Sequence, residues 1–209
     1  LPPITALFAA TIIHYGKNKQ IQLAILILIT ALFAILTANR AHLYASPITL
    51  WQDNINRNEQ CWTAHNSYAV QVLEQNPSAD PAPLIHHFNR AIQLNPDYAL
   101  AYRNLGRLLA REGNFKQAIP LLRKAVQLQD SSDENYKQLG LALAQTGEIK
   151  EALANLARAF KIDAFDPETR LAIAQGMQKL KRYESAISWY SDALLLTPND
   201  PGIYYLMSQ

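Results

Sequence analysis

Cys61 precedes His65 by four residues, His86 and His87 are adjacent, Asp163 and Asp166 lie three apart, and Arg103, Arg107 and Arg111 recur every four residues. These are the side chains whose types and spacing could do chemistry. A cysteine four residues before a histidine on a helix would place a thiol beside an imidazole, the first half of a nucleophilic pair. Cys61 falls at a junction before a helix, and the sequence places no third group to orient His65. The thiol therefore reads as structural. Adjacent histidines on a helix point about 100° apart, which is poor geometry for chelating one metal ion. Asp163 and Asp166 flank a turn and read as turn and capping residues rather than an acid–base pair. There is no Gly-rich phosphate loop, no Gly-x-Ser-x-Gly elbow and no His-Glu-x-x-His metal helix. The reading is of no catalytic residue, no metal and no cofactor, and any enzyme activity would reside outside this chain.

The three arginines are different. At a spacing of four they form one cationic stripe on a single helix face. Residues 99–132 carry six basic and two acidic side chains. Such a stripe either solvates an exposed face or holds a carboxylate or phosphate through charge-assisted bonds.

What positions these residues is helix. Among 209 residues alanine and leucine each occur 30 times and valine three times. Unbranched side chains lose little rotamer freedom in a helix, whereas sheets are richer in β-branched residues. The expected class is all-α. One cysteine excludes a disulfide framework, 49% hydrophobic residues exclude wholesale disorder, and a net charge of +2 excludes a strongly basic nucleic-acid binder. The chain starts at Leu1 inside an apolar run and reads as a piece of a longer polypeptide.

Residues 1–38 contain Lys17 and Lys19 and no acid. From Ile21 to Ala38 there is no charge, and Gln22, Thr30 and Thr37 are the only polar members. Eighteen helical residues span about 27 Å, close to the ~30 Å of a hydrocarbon core. The run is apolar on every side, which favours a membrane span over a buried core helix or a cleaved signal peptide. Residues 1–38 are thus read as membrane segment: the end of one span, a loop at 16–20, and a span at 21–38. Short lysine-rich loops stay in the cytoplasm, which sends the rest of the chain to the periplasmic or lumenal side. Tyr44, Trp51 and Trp62 follow, as interfacial rings or as core aromatics of the next domain.

Beyond this the sequence repeats. Segments 99–132, 133–166 and 167–200 align without a gap at a period of 34. Small residues recur where two helices must approach: Gly106, Gly140 and Ala174, then Ala118, Ala152 and Ala186, then Ala125, Ala159 and Ala193. Gly113-Asn114 and Gly147-Glu148 mark turns, and Pro-Asp or Asp-Pro pairs at 96–97, 166–167 and 200–201 read as helix stops. Residues 62–98 fit the same pattern with an insertion at Pro77–Pro83, whose prolines interrupt helix. Residues 39–61 read as linker and half-repeat, with a helix opened by Ser46-Pro47 and running to about Arg57. Residues 201–209 read as a partial or capping helix.

Tyr102-Arg-Asn-Leu-Gly106 with Ala118 and Ala125, and Tyr136-Lys-Gln-Leu-Gly140 with Ala152 and Ala159, resemble the tetratricopeptide repeat (TPR). That resemblance implies a helix–turn–helix solenoid with a concave protein- or peptide-binding groove lined by first-helix positions 2, 5, 9 and 12. The groove candidates are Asn66, Arg103, Asn104, Arg107, Arg111, Lys137 and Gln175, facing a partner of acidic character. The set resembles in part the carboxylate clamp of chaperone-binding repeats, with Val70 in place of a polar member. It lacks the asparagine ladder of nucleocytoplasmic O-GlcNAc transferase, because Ser67, Gln138 and Ala172 stand at the positions equivalent to Asn104.

Arg40-x3-Tyr44, Leu50-Trp51-x-Asp53 and Trp62-Thr-Ala-His-Asn66, after an apolar helix and before repeats, resemble membrane glycosyltransferases with C-terminal TPRs. That second resemblance implies catalytic carboxylates upstream of this chain. Two readings follow: a membrane-tethered scaffold for a protein partner, or the acceptor-recognition end of a membrane glycosyltransferase. Neither calls for nucleic acid or a small-molecule cofactor.

Overall fold

The computed structural model describes residues 19–44 and 46–208, and every regular element among them is a helix. In chain order these are α1 (Lys19–Leu43), α2 (Pro47–Arg57), α3 (Trp62–Gln75), α4 (Pro81–Leu94), α5 (Ala99–Arg111), α6 (Phe115–Leu128), α7 (Asp133–Thr146), α8 (Ile149–Ile162), α9 (Pro167–Lys179), α10 (Tyr183–Leu196) and α11 (Pro201–Met207). The chain divides into two compact units at Asp53, within α2. The apolar stretch Ile4–Ile13 and Lys17 lie outside the described residues.

In the first unit α1 includes Lys19 and Gln20, so the last two residues of the expected 16–20 loop are helix. It also continues five residues past Ala38, because neither proline nor glycine interrupts the sequence before Leu43. Its window from Lys19 to Ala38 has the length and composition to cross a membrane, and none of its residues is buried among the described ones. Its two threonines satisfy themselves. Thr30 Oγ1 donates to the Leu26 and Ile27 carbonyls at 2.9 Å and Thr37 Oγ1 to that of Phe33 at 2.7 Å.

The second unit is a stack of antiparallel helix pairs: α3 with α4, α5 with α6, α7 with α8, α9 with α10, and then α11. Small residues set the distance within each pair. Ala118, Ala152 and Ala186 are all buried, and a Cβ placed on Gly106 or Gly140 would come within 2.7 Å of Leu122 or Leu156. The pairs cannot bury their apolar faces alone, and stacking supplies the cover. One continuous core runs through Ala69, Leu84, Phe88, Leu105, Leu122, Leu139 and Leu143. A second, around Ala174, Tyr190 and Ile203, seats α11 on α10. At that end Arg170 sits 5.6 Å over the Phe160 ring and donates to the Ala164 and Asp192 carbonyls, tying α8, α9 and α10 together.

The Asp-Pro pairs start helices rather than stop them. Asp80, Asp166 and Asp200 are N-caps whose carboxylates accept from backbone N–H groups two or three residues on. The proline that follows each lies in the first turn, where its missing N–H removes no intrahelical bond. For the same reason Pro81 and Pro83 do not interrupt α4. Asp163 accepts from Phe165 N at 2.8 Å in the turn before α9, the role its position suggested.

Candidate peptide-binding groove

The first helices α3, α5, α7 and α9 form one side of the stack and carry all seven groove candidates. Only some of these side chains are free to meet a partner.

Asn66 and Asn104 are buried and bonded to each other, with Asn104 Nδ2 donating to Asn66 Oδ1 at 3.0 Å. Asn66 Nδ2 in turn donates to Tyr98 Oη at 3.4 Å. The two asparagines therefore fasten α3 to α5 at the groove floor. Tyr98 was not legible as a site residue, because it is the N-cap of α5 and lies one residue outside the helical positions that point into a groove. Its ring packs edge-on against Trp62, with centroids 4.4 Å apart. Burial raises the Tyr98 pKa, so its hydroxyl keeps its proton as a donor.

Arg103 is half-buried beside this pair. Burial holds its guanidinium below the ordinary arginine range, Glu134 opposes that effect and Arg107 adds to it. Arginine nevertheless stays charged at neutral pH. Among the described residues no hydrogen bond or ion pair engages Arg103 or Arg107, and Arg107 is exposed. Arg111 lies further along the helix, exposed and paired with its neighbour Glu112 at 3.1 Å.

Lys137 is placed differently from the arginines. Its ammonium is buried among three carboxylates, Glu134 at 2.9 Å, Asp166 at 3.1 Å and Glu168 at 3.1 Å. Burial disfavours its charge, but the bonds to Glu134, Glu168 and Asp166 outweigh this and raise its pKa. Burial likewise opposes ionisation of Glu134 and Asp166. Lys137 with Gln138 in the first case, and Thr169 with Lys137 in the second, outweigh it and hold both carboxyls below their usual range. Only Glu134 is within local reach of Lys137. The other two carboxylates arrive from the turn into α9, which no sequence spacing reveals. Gln175 is half-buried on α9.

The face is thus cationic over α5 and acidic at the start of α7 and α9. Cys61 Sγ lies 3.3 Å from Thr63 Oγ1 rather than against an imidazole. His65 instead meets His87, with Nδ1 to Nδ1 at 2.9 Å, and its Nε2 lies 3.0 Å from the Glu59 carbonyl. Since a carbonyl only accepts, the His65 proton is on Nε2 and its Nδ1 accepts from His87. Among the described residues no group of three or more His, Cys, Asp or Glu could hold a metal ion.

Two family models, both described as tetratricopeptide repeat, match residues 97–164 and 143–209, together more than half of the chain. The chain belongs to the tetratricopeptide-repeat family. Solved TPR structures are similar over most of its length. TTC0263, a thermophilic TPR protein from Thermus thermophilus, is 23% identical with a TM-score of 0.60, covering 86% of this chain and 93% of its own. MamA from Desulfovibrio magneticus RS-1 is 14% identical with a TM-score of 0.66, covering 82% and 97%. YrrB, described as a TPR protein with an unusual peptide-binding site, is 19% identical with a TM-score of 0.64, covering 75% and 79%. At these identities the likeness is one of fold. No curated protein matches the chain, and none of these comparisons carries the membrane-glycosyltransferase resemblance of residues 40–66.

Proposed function

We propose that this TPR protein is a membrane-tethered scaffold that binds a protein or peptide through the face of its first helices. The observation that carries the reading is Arg103: a half-buried guanidinium on α5, bonded to nothing among the described residues, beside the Tyr98 hydroxyl and the exposed Arg107. These are hydrogen-bond donors, so the group that suits them is an acceptor with negative charge, a side-chain or terminal carboxylate. Lys137 is neutralised in place and Glu168 stands half-exposed on α9. The partner's acidic residue therefore belongs over α5, with a neutral or basic stretch over α7 and α9. Support for the tether is α1, apolar on all sides, with both threonine hydroxyls bonded inside the helix as lipid demands. The periplasmic or lumenal side follows only from Lys17 and Lys19.

The test is affinity for peptides selected by display against the full chain. Replacing Arg103 and Arg107 together by glutamine should weaken binding by about 2–4 kcal/mol, and replacing Arg111 alone by under about 1 kcal/mol. Intact affinity in the double variant, insensitive to salt, would make the stripe a solvated face only. The alternative, that these repeats are the acceptor-recognition end of a membrane glycosyltransferase, is supported by the order of α1, residues 40–66 and the repeats. Its test is the parent reading frame, which should then hold further spans and an acidic pair in its first outer loop.

A further inference from the structure

The second helices, on the side of the stack away from the groove, carry charge of nearly one sign. α4, α6 and α8 together contain one acidic residue, Glu151, and that carboxylate is held by Arg123 at 2.9 Å. Basic side chains recur there in register. Arg90, Lys124 and Arg158 each stand immediately before the buried alanine of their helix (Ala91, Ala125 and Ala159), one repeat apart. Lys116 and Lys150 share a second position, two helical turns earlier and on the same face. Lys116, Lys150 and Arg158 are exposed, Arg90 and Lys124 half-buried. Among the described residues none of the five is ion-paired. The next second helix reverses both positions, with Glu184 and Asp192 on α10. The result is a basic ridge three helices wide with an acidic end.

We propose that this ridge docks on an anionic lipid bilayer, so that the repeats lie against the membrane with their first helices turned to their partner. The proposal rests on the tether reading. A lipid surface suits the ridge better than a protein does. Long basic side chains are spread over three helices that expose no Phe, Tyr or Trp for a partner to bury, whereas protein interfaces concentrate their energy in a few desolvated aromatic or arginine anchors. Rows of headgroup phosphates ask for dispersed positive charge alone. Only residues 44–61 separate α1 from α3. A chain anchored by α1 therefore holds the ridge at a high effective concentration over the bilayer, and individually weak attractions suffice.

The full chain, reconstituted in nanodiscs of phosphatidylcholine alone or with about one third phosphatidylglycerol, is acetylated with an amine reagent. Mass spectrometry then reads each lysine against the exposed Lys181 of the α9–α10 turn. Labelling of Lys116, Lys124 and Lys150 should fall about threefold or more in the anionic discs and recover at about 0.5 M salt, where the Debye length is only a few ångström. Equal labelling in the two disc types overturns the proposal, as does protection that salt leaves unchanged. Protection by poly-glutamate or duplex DNA, without protection by anionic discs, also overturns it and gives the ridge to an acidic protein or to nucleic acid. The tether is read separately, as retention of the chain in phosphatidylcholine discs through an alkaline wash. Loss there with salt-sensitive protection on anionic liposomes refutes the tether and leaves the ridge standing.

Discussion

The Lys137 ammonium lies 3.1 Å from Asp166 Oδ2, the same oxygen that accepts from the N–H of Thr169 at the start of α9. One carboxylate thus caps a helix and closes a buried ion pair between successive repeats. Replacing Lys137 by alanine leaves Glu134, Asp166 and Glu168 facing one another without a counter-ion. Breaking a buried pair by removing one partner costs about 3–5 kcal/mol, and Lys137→Ala should approach that range in urea unfolding. Arg123→Ala removes a pair whose side chains are 49% and 44% exposed and should cost under about 1 kcal/mol. Equal effects would mean that the Lys137 cluster holds nothing together.

The His65–His87 pair gives stability an acid limit of its own. Burial, then His65 and His86, lower the His87 pKa from 6.5 to about 4. The groups around its ring are Tyr68, His86 and His65, with no carboxylate among them. Between these two values the unfolded chain takes up a proton that the folded chain refuses, so stability falls as pH drops through that window and is unaffected above it. The Lys137 carboxylates, whose pKa values lie below the ordinary range in the fold, lose their contribution only from the ordinary carboxylate range downward, so above about pH 5 the histidine effect is read alone. The urea midpoint should decline between pH 7 and about pH 5, and less steeply in His87→Phe. Identical slopes would show that the pair does not refuse protons.

Gly113, Gly147 and Lys181 occupy one repeat position and all have positive φ, at 78°, 87° and 60°. A lysine there is strained where glycine is not. Lys181→Gly should therefore raise stability by about 0.5–1 kcal/mol, after the extra entropy glycine loses on folding. A lower melting temperature for this variant would mean that the Lys181 side chain contributes more than its backbone costs.

Close approach within a pair is set by residues with little or no side chain. A Cβ at Gly140 would meet Leu156 Cγ at 2.7 Å and the backbone oxygen of Ala152 at 3.1 Å. Leu156 can turn aside and the backbone oxygen cannot. Gly140→Ala and Ala152→Leu should each destabilise by about 1–3 kcal/mol. An unchanged midpoint in both would contradict the contact between α7 and α8.

The repeat fold is written in the sequence because small residues must recur where helices touch, and Ala118, Ala152 and Ala186 recur every 34 residues. The same period would have exposed Lys181 as the misfit in a row of glycines. Side-chain pairing across helices has no such signature. His65 and His87 meet across 22 residues, and Asn66 and Asn104 across 38. Lys137 reads as a groove cation because two of its three carboxylates come from the following turn. Arg103 and Arg107 read as a stripe from their spacing alone, and among the described residues no hydrogen bond or ion pair engages them.

The central claim is that a partner lies on the first helices. With a display-selected peptide bound to the full chain, amide hydrogen exchange read helix by helix locates it directly. Slower exchange confined to the first helices α3, α5, α7 and α9, and lost in the Arg103 and Arg107 double variant, is the predicted result. Protection on α4, α6 and α8, or protection that survives the double substitution, would contradict the account.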